Sequence, residues 1–283
     1  MKQRRISWAI TMHCNMHPCE YCISQSSKNV THPPLKDILL IVDKINSLGS
    51  WEIYINGGEP FSLPHFNDII IPKLLQSNNK IFVTSNFTYD NDIYLNFVTT
   101  TQKNLLKLNL SYHYHLFPDY LQFINKIKNL ISLGCPKENI IVSAALNPNK
   151  LEQIRNLDTH LNEELGIYLY PQFIKIKNID GSVSPYKYND CQLSIISNLE
   201  KIKKQKSFPL NTSNMECWAG TDYLFIIPNG KSYRCQQYYY LKKDIGNLTN
   251  PDFKLLNQAI KCDFEYCSCG SAQEICVKTN QNN

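Results

Sequence analysis

A chain of 283 residues, 43% hydrophobic and 11% aromatic, can bury one large domain, or one large and one small. Its formal charge of +5 comes from scattered lysines, and the denser run at Lys201, Lys203, Lys204 and Lys206 reads as a solvated helix face, not a nucleic-acid footprint. No stretch reaches the roughly 18–20 continuous apolar residues of a membrane span. The apolar run 6–11 is too short for a signal peptide and has no small-residue cleavage site. The expected setting is the cytoplasm, where eleven cysteines serve as metal ligands more readily than as disulfides.

Taken in order, the periodicities predict strands over 5–11, 51–56, 80–85, 106–112, 139–146 and 167–174. Between them helices are expected over 35–48, 65–76, 90–100, 119–133 and 150–165. Leu35, Ile38, Leu39, Val42 and Ile45 give the first helix its apolar face, and Gly49 ends it. Pro72 interrupts the second early, Gly134 with Pro136 stops the fourth, and Gly166 stops the fifth. Such alternation implies a parallel α/β sheet with right-handed crossovers, in which ligands sit beyond the C-terminal ends of the strands. The polar residues at those ends are a cysteine loop, 57–60, Asn86, Ser111 with His113, Ser143 with Asn147, and Gln172. After Lys177 the pattern stops. A turn-rich linker is expected over 178–190 and a helix over 193–204. A β-hairpin is expected over 223–227 and 231–236 with Asn229-Gly230 at its turn, then a short helix over 253–260 and a frayed tail over 278–283.

Two groups of residues carry chemistry. Cys14, Cys19 and Cys22 sit within nine residues beside Asn15 and Pro18, which favour a loop. Three thiols on one loop can face a common centre, and an odd number is a poor disulfide plan. Zinc would need a fourth ligand, from His13 or His17. A [4Fe–4S] cluster held by three thiolates would leave one iron open to a small ligand. After the second strand comes Gly57-Gly58-Glu59-Pro60: two residues without side chains allow close backbone approach, and Pro60 stiffens the exit.

Together, Cys14-x4-Cys19-x2-Cys22 with Tyr21 before the last cysteine, and Asn56-Gly57-Gly58-Glu59-Pro60, resemble the radical S-adenosylmethionine (AdoMet) superfamily. That family's usual spacing is Cys-x3-Cys-x2-Cys, so this loop has one extra residue. The resemblance implies an incomplete (β/α)6 TIM-like barrel over 1–177, in preference to a doubly wound sheet. It implies a [4Fe–4S] cluster on Cys14, Cys19 and Cys22, AdoMet with its amino group at 57–59 beside Pro60, and Tyr21 against the adenine. Asn86 and Ser111 match less specific strand-end positions for the same cofactor. The cluster passes one electron to the sulfonium, and the 5′-deoxyadenosyl radical so formed abstracts hydrogen from a substrate. His113, with His115 on the same side, is a candidate substrate contact or a structural histidine.

The second constellation is Cys217-x12-Gly230-x4-Cys235 followed by Cys262, Cys267, Cys269 and Cys276. It resembles the SPASM and twitch domains, small β-hairpin/α units that hold auxiliary clusters. Six cysteines cannot supply eight ligands, so one auxiliary [4Fe–4S] cluster is implied over 215–283, behind a linker with a helix over 178–214. Cys217 and Cys235 lead as ligands, Cys267 and Cys269 come next, and Cys262 and Cys276 are the alternatives to those two. A zinc site of the same thiols is the competing reading. Cys135 and Cys191 stand alone and read as core or surface thiols. In that family such C-terminal domains go with peptide modification and with oxidation of small alcohols or nucleotides, and a peptide in ribosomal peptide maturation is the first reading. A small-molecule dehydrogenase or rearrangement enzyme is the second reading, and a non-enzymatic zinc-binding module the third. A reductase such as flavodoxin or ferredoxin is the implied electron donor. Against the peptide reading, the first strand starts at Arg5 with no separate recognition domain expected before it, a function that a partner protein could supply.

Overall fold

The computed structural model describes residues 4–16, 19–204, 212, 213, 215–265 and 267. Strands β1 (Arg5–Thr11), β2 (Glu52–Gly57), β3 (Lys80–Ser85), β4 (Leu105–Tyr112), β5 (Ile140–Ala145) and β6 (Leu169–Gln172) lie side by side in chain order, every neighbouring pair parallel. Helices α1 (Leu35–Ser47), α2 (Ile71–Leu75), α3 (Asn91–Thr101), α4 (Tyr120–Ser132) and α5 (Leu151–His160) make the crossovers. Consecutive right-handed crossovers with no reversal of order across β1–β6 put these five helices on one face. A doubly wound sheet reverses its order at a switch point, and β1–β6 do not.

The two faces differ as strand alternation requires. Ile6, Trp8, Ile10, Ile53, Ile55, Val83, Leu108, Leu110 and Val142 form one core with the buried stripes of the helices, such as Ile38, Ile41 and Ile45 of α1. The opposite face is polar and paired across strands. Asn56 Nδ2 donates to Ser7 Oγ (3.1 Å), Asn109 Nδ2 to Thr84 Oγ1 (3.1 Å), and the Ser111 and Ser143 hydroxyls are 3.3 Å apart. At the strand starts, Arg5 pairs with Glu52 at 2.9 Å, and Tyr54 stacks on Phe82.

Helix ends depart from expectation where local chemistry intervenes. Pro72 falls in the first turn of α2, and residues 66–70 before it wind as a wider π turn. A second π turn over 161–165 ends α5 at Gly166, which takes a left-handed φ of 64°. The turn-rich segment after Lys177 is more ordered than expected: β7 (Lys175–Lys177) pairs antiparallel with β8 (Val183–Pro185). Its Asn and Asp residues make the hairpin turn, where Asp180 Oδ1 accepts from Ser182 N at 2.9 Å and Asn178 N donates to Ser182 O at 2.8 Å. The helix expected over 193–204 is two. An Asn189/Gln192 capping box starts α6 (Asp190–Ser197) early, and Asp158 of α5 takes the Glu200 N–H at 2.8 Å, where α7 (Glu200–Lys204) begins.

The C-terminal hairpin, β10 (Tyr223–Ile226) and β11 (Ser232–Tyr233), is joined to the main sheet. β10 lies parallel to β1, with Arg5 opposite Tyr223 and Trp8 opposite Ile226, so the sheet has eight strands in the order β11-β10-β1-β2-β3-β4-β5-β6. Just past β11 the chain turns into α8 (Gln236–Tyr240), where strand was expected to reach 236. The helix expected over 253–260 is absent. Leu256 N donates to Gly220 O at 3.0 Å, and β12 (Ile260–Lys261) pairs antiparallel with β9 (Glu216–Cys217), so backbone bonds that a helix would keep local go to another segment. The tail over 278–283 lies outside the described residues.

Candidate functional site

The cysteine loop leaves β1 at Thr11, which is fully buried. The Thr11 hydroxyl accepts from His13 N at 3.0 Å and meets His32 Nδ1 at 3.2 Å. The returning end of the loop is held by Cys14 N donating to Ser27 O (3.1 Å), and a tight turn brings Cys22 N to Cys19 O (2.8 Å).

The close approach expected of Gly57-Gly58 is present, and its direction is informative. Gly58 N donates to Thr11 O (2.7 Å) and Glu59 N to His13 O (2.8 Å). A Cβ on Gly57 would fall 2.1 Å from Thr11 O, and one on Gly58 1.7 Å from His13 O. The missing side chains let the end of β2 lie directly against the root of the cysteine loop.

Glu59 has its side chain in the protein interior, 0% exposed. Its Oε1 accepts from Phe61 N (3.1 Å) and Ser85 Oγ (2.9 Å), and Oε2 accepts from Asn86 N (2.7 Å). The carboxylate thus ties the ends of β2 and β3 together. Burial pushes its pKa up to about 7, against the lowering effect of those three donors. The folded-state value lies above the ordinary 4.5, so the stability Glu59 contributes is fully present below about pH 4.5 and lost as pH rises towards 7. That swing is on the order of 3 kcal/mol. Urea titrations at pH 4.5 and 7.5 should therefore show wild type losing about that much relative to Glu59→Gln, whose amide does not titrate. A difference between the two proteins that is constant with pH would refute it.

One open cavity of about 180 Å³ lies beyond the ends of β1–β4. Its lining includes Cys14, Cys19, Cys22, Tyr21, Gly57, Gly58, Asn86, Ser111 and His113. Of the residues expected around the first cluster and its ligand, only Glu59 and Pro60 are not in it: both are buried, Pro60 in the 3-10 turn after β2. Met16, Ser26, Thr84 and Ser85 complete the lining without having been singled out. Asn86 ties the loop down: its Nδ2 donates to Asn15 Oδ1 (2.8 Å) and Met16 Sδ (3.0 Å) and lies 3.9 Å from Cys14 Sγ. Only its strand-end position pointed to it, and nothing in the sequence pointed to Met16.

The electrostatics are those of buried neutral groups. Burial, then the nearby Cys22, pushes the Cys19 thiol up to about 11, and burial also raises Cys14. Burial, then His115, pushes His113 down to about 4. Burial, then Cys19, raises Tyr21. Tyr21 therefore keeps its proton, and its hydroxyl is hydrogen-bonded to His113 Nδ1 at 2.8 Å, with the two rings stacked at an interplanar angle of 4°. His113 Nδ1 and His115 Nε2 lie 3.7 and 3.6 Å from Cys19 Sγ. A second cavity of about 430 Å³ adjoins the first through Met16 and Cys19, with Glu20, Lys28, Tyr114 and His115 in its lining. Glu20 there accepts from Tyr114 OH and Asn147 Nδ2.

Among the described residues no three His, Cys, Asp or Glu side chains are grouped to hold a metal ion. His13 places Nδ1 on Ser62 Oγ (3.1 Å), and His17 is outside the described residues. The donor chemistry nonetheless fits a thiolate-bound metal group. Three thiols border one cavity whose described lining residues include no lysine or arginine, so a bound metal is what would balance them as thiolates.

The second cysteine group packs below β10. Cys217 is buried with Ala9, Ala219, Tyr223, Phe225 and Tyr233, and Cys235, Cys262 and Cys267 pack against this cluster, as does Met12. Cys269 and Cys276 are outside the described residues. Cys135 is in the main core and Cys191 on the surface.

No protein-family model matches the chain, and no curated protein matches it. Among solved structures it is similar to anSMEcpe with bound AdoMet (TM-score 0.61, 14% identity, covering 88% of this chain and 78% of that one). The same protein with bound AdoMet and the Cp18Cys peptide gives a TM-score of 0.58 at 13% identity, over 88% of this chain and 78% of that one. Streptococcus suis SuiB gives 0.60 at 17% identity over 89% of this chain, which spans 64% of SuiB's length. At these identities the shared property is the fold.

Proposed function

We propose that the chain is a radical AdoMet enzyme on an incomplete (β/α)6 barrel, acting on a peptide during ribosomal peptide maturation. The observation that carries the reading is convergence. Residues picked by two short motifs and two strand ends, 97 positions apart between Cys14 and Ser111, border one cavity at the C-terminal ends of parallel strands. The polar inner face of β1–β5, with the core of α1–α5 on the other side, supports the barrel. The peptide assignment draws support from the likeness to the fold of anSMEcpe, solved with a bound peptide.

Cys14, Cys19 and Cys22 would hold a [4Fe–4S] cluster, which when bound supplies the electron that splits the carbon–sulfur bond of AdoMet, with flavodoxin or ferredoxin as the source. The chain's own residues bind and orient. The backbone of Gly57 and Gly58 would hold the AdoMet amino group, Tyr21 the adenine, and Asn86 and Ser111 the remaining polar edge. Glu59 acts from behind, fixing the ends of β2 and β3. A histidine titrating at about 4 is a weak base at neutral pH, so His113 is assigned to holding Tyr21 rather than to moving protons.

Cys217, Cys235, Cys262 and Cys267 would hold one auxiliary [4Fe–4S] cluster, supported by their packing around one buried cluster. Cys217→Ser and Cys262→Ser proteins should each lose about four irons per chain on anaerobic reconstitution, whereas Cys191→Ser and Cys276→Ser keep them. Full iron in the Cys262→Ser protein would move the fourth ligand to Cys269 or Cys276. The function is tested by incubating reconstituted protein with AdoMet and dithionite and assaying 5′-deoxyadenosine. Colourless protein that holds zinc and makes none would leave the zinc-binding module.

A further inference from the structure

Arg234 stands between β11 and Cys235 and is 7% exposed. A guanidinium cannot shed its proton in a protein, so a cation is buried here. Its acceptors among the described residues are neutral oxygens: Nε donates to Ala219 O (3.1 Å), Nη1 to Tyr238 OH (3.1 Å) and Nη2 to Ile260 O (3.5 Å). Among the described residues no carboxylate stands within ion-pair distance of it. The nearest link to one is indirect, through Tyr238 OH, which donates to Asp263.

The position of these acceptors is the second observation. Ala219 is two residues after Cys217, Tyr238 three after Cys235, and Ile260 two before Cys262 and directly opposite Cys217 in the β9–β12 pair. Each arm of one planar fork therefore holds a different cysteine-bearing segment. Arg234 Cγ would lie 3.2 Å from a Cβ on Gly220, so the stem also packs against the turn that follows Cys217. The Tyr238 ring, 5.1 Å from the guanidinium carbon, offsets part of the cost of this buried cation, and thiolates gathered around a metal group would supply the negative charge that no direct carboxylate provides.

We propose that Arg234 is a positioning residue for the second cysteine site: its fork sets the three segments that carry Cys217, Cys235 and Cys262, and its charge makes a group bound there easier to reduce. This rests on the reading of those cysteines as an iron–sulfur site. A fixed positive charge favours whichever state carries one more electron, so removing it lowers the reduction potential. Removing the fork loosens the ligand segments and speeds loss of metal.

The test uses the full chain with Cys14, Cys19 and Cys22 changed to alanine, so that the second site alone gives a signal. Iron is counted on this parent first. Potentiometric titration followed by electron paramagnetic resonance then compares the parent with Arg234→Gln and Arg234→Lys, and iron release to ferrozine is timed in all three. Arg234→Gln should titrate at a lower potential and release iron about 10–100-fold faster, the usual cost of removing a partner behind the ligands. Arg234→Lys should keep the parental potential yet release iron faster than the parent, because an ammonium brings the charge without the fork. Should Arg234→Gln bind no iron, the lysine variant decides: a parental potential supports the proposal and a lowered one overturns it. An Arg234→Gln protein with iron at the parental potential overturns the role of Arg234 alone. A parent holding zinc or no metal overturns the cluster reading and Arg234 with it, and the metal count reveals this before any variant is compared.

Discussion

Changing Cys14, Cys19 and Cys22 together to alanine is expected to remove about four irons per chain and bring 5′-deoxyadenosine formation down to the protein-free background. The fold should survive. The loop is pinned by backbone and amide bonds: Cys14 N to Ser27 O, Gly58 N to Thr11 O, Glu59 N to His13 O, and Asn86 Nδ2 to Asn15 Oδ1. None of these uses a sulfur atom. The three thiols are half-buried, and truncating them removes one atom each, so thermal unfolding of metal-free protein should shift by no more than about 1 kcal/mol. The pairing of lost iron with an unchanged metal-free melt is the informative result. A triple variant that still cleaves AdoMet would end the assignment of these cysteines. One that also fails to fold would mean that the loop, not the metal, holds the barrel mouth together.

What the sequence revealed and what it hid divide along the range of the interactions. Strand β3 matches its expected bounds to the residue and β4 to within one, because each alternates between an apolar helix-facing side and a polar side within its own few residues. The cysteine loop and the glycine pair were legible because their chemistry allows few other side chains. The parallel pairing of β10 with β1 was not, since it joins segments more than 200 positions apart and leaves no local trace. The 253–260 segment was misread for the same reason: its composition tolerates a helix, but its backbone partners lie on Gly220 and β9. Glu59 was placed at the cofactor because it completes a motif, whereas its three donors are Phe61, Ser85 and Asn86. Arg234 gave no signal, because a lone arginine beside a cysteine is ordinary until its three acceptors are seen together.

Gly58→Ala is expected to be among the most damaging single methyl additions at a described glycine. Gly58 does not occupy the left-handed region, so its backbone angles are open to alanine, and the whole penalty comes from contact. That contact is severe: the new Cβ would lie 1.7 Å from His13 O, 2.3 Å from His13 C and 3.0 Å from Cys14 N, all backbone atoms that no rotamer change can move. Relief requires the end of β2 to separate from the loop root, which breaks the Gly58–Thr11 and Glu59–His13 bonds. The Glu59 carboxylate would then be pulled from donors on Phe61, Ser85 and Asn86, leaving buried donors unsatisfied. The expected loss is about 3–5 kcal/mol in chemical denaturation, with iron at the first site and AdoMet cleavage falling together. Gly134→Ala is the matched control. At φ 108° it carries backbone strain, yet nothing lies within 4 Å of the added methyl. It should cost about 1 kcal/mol and leave iron and cleavage at wild-type levels. Equal damage from both would assign the effect to backbone conformation rather than to the seam between β2 and the cysteine loop. A Gly58→Ala protein with normal iron and stability would mean that the seam is not closed in solution.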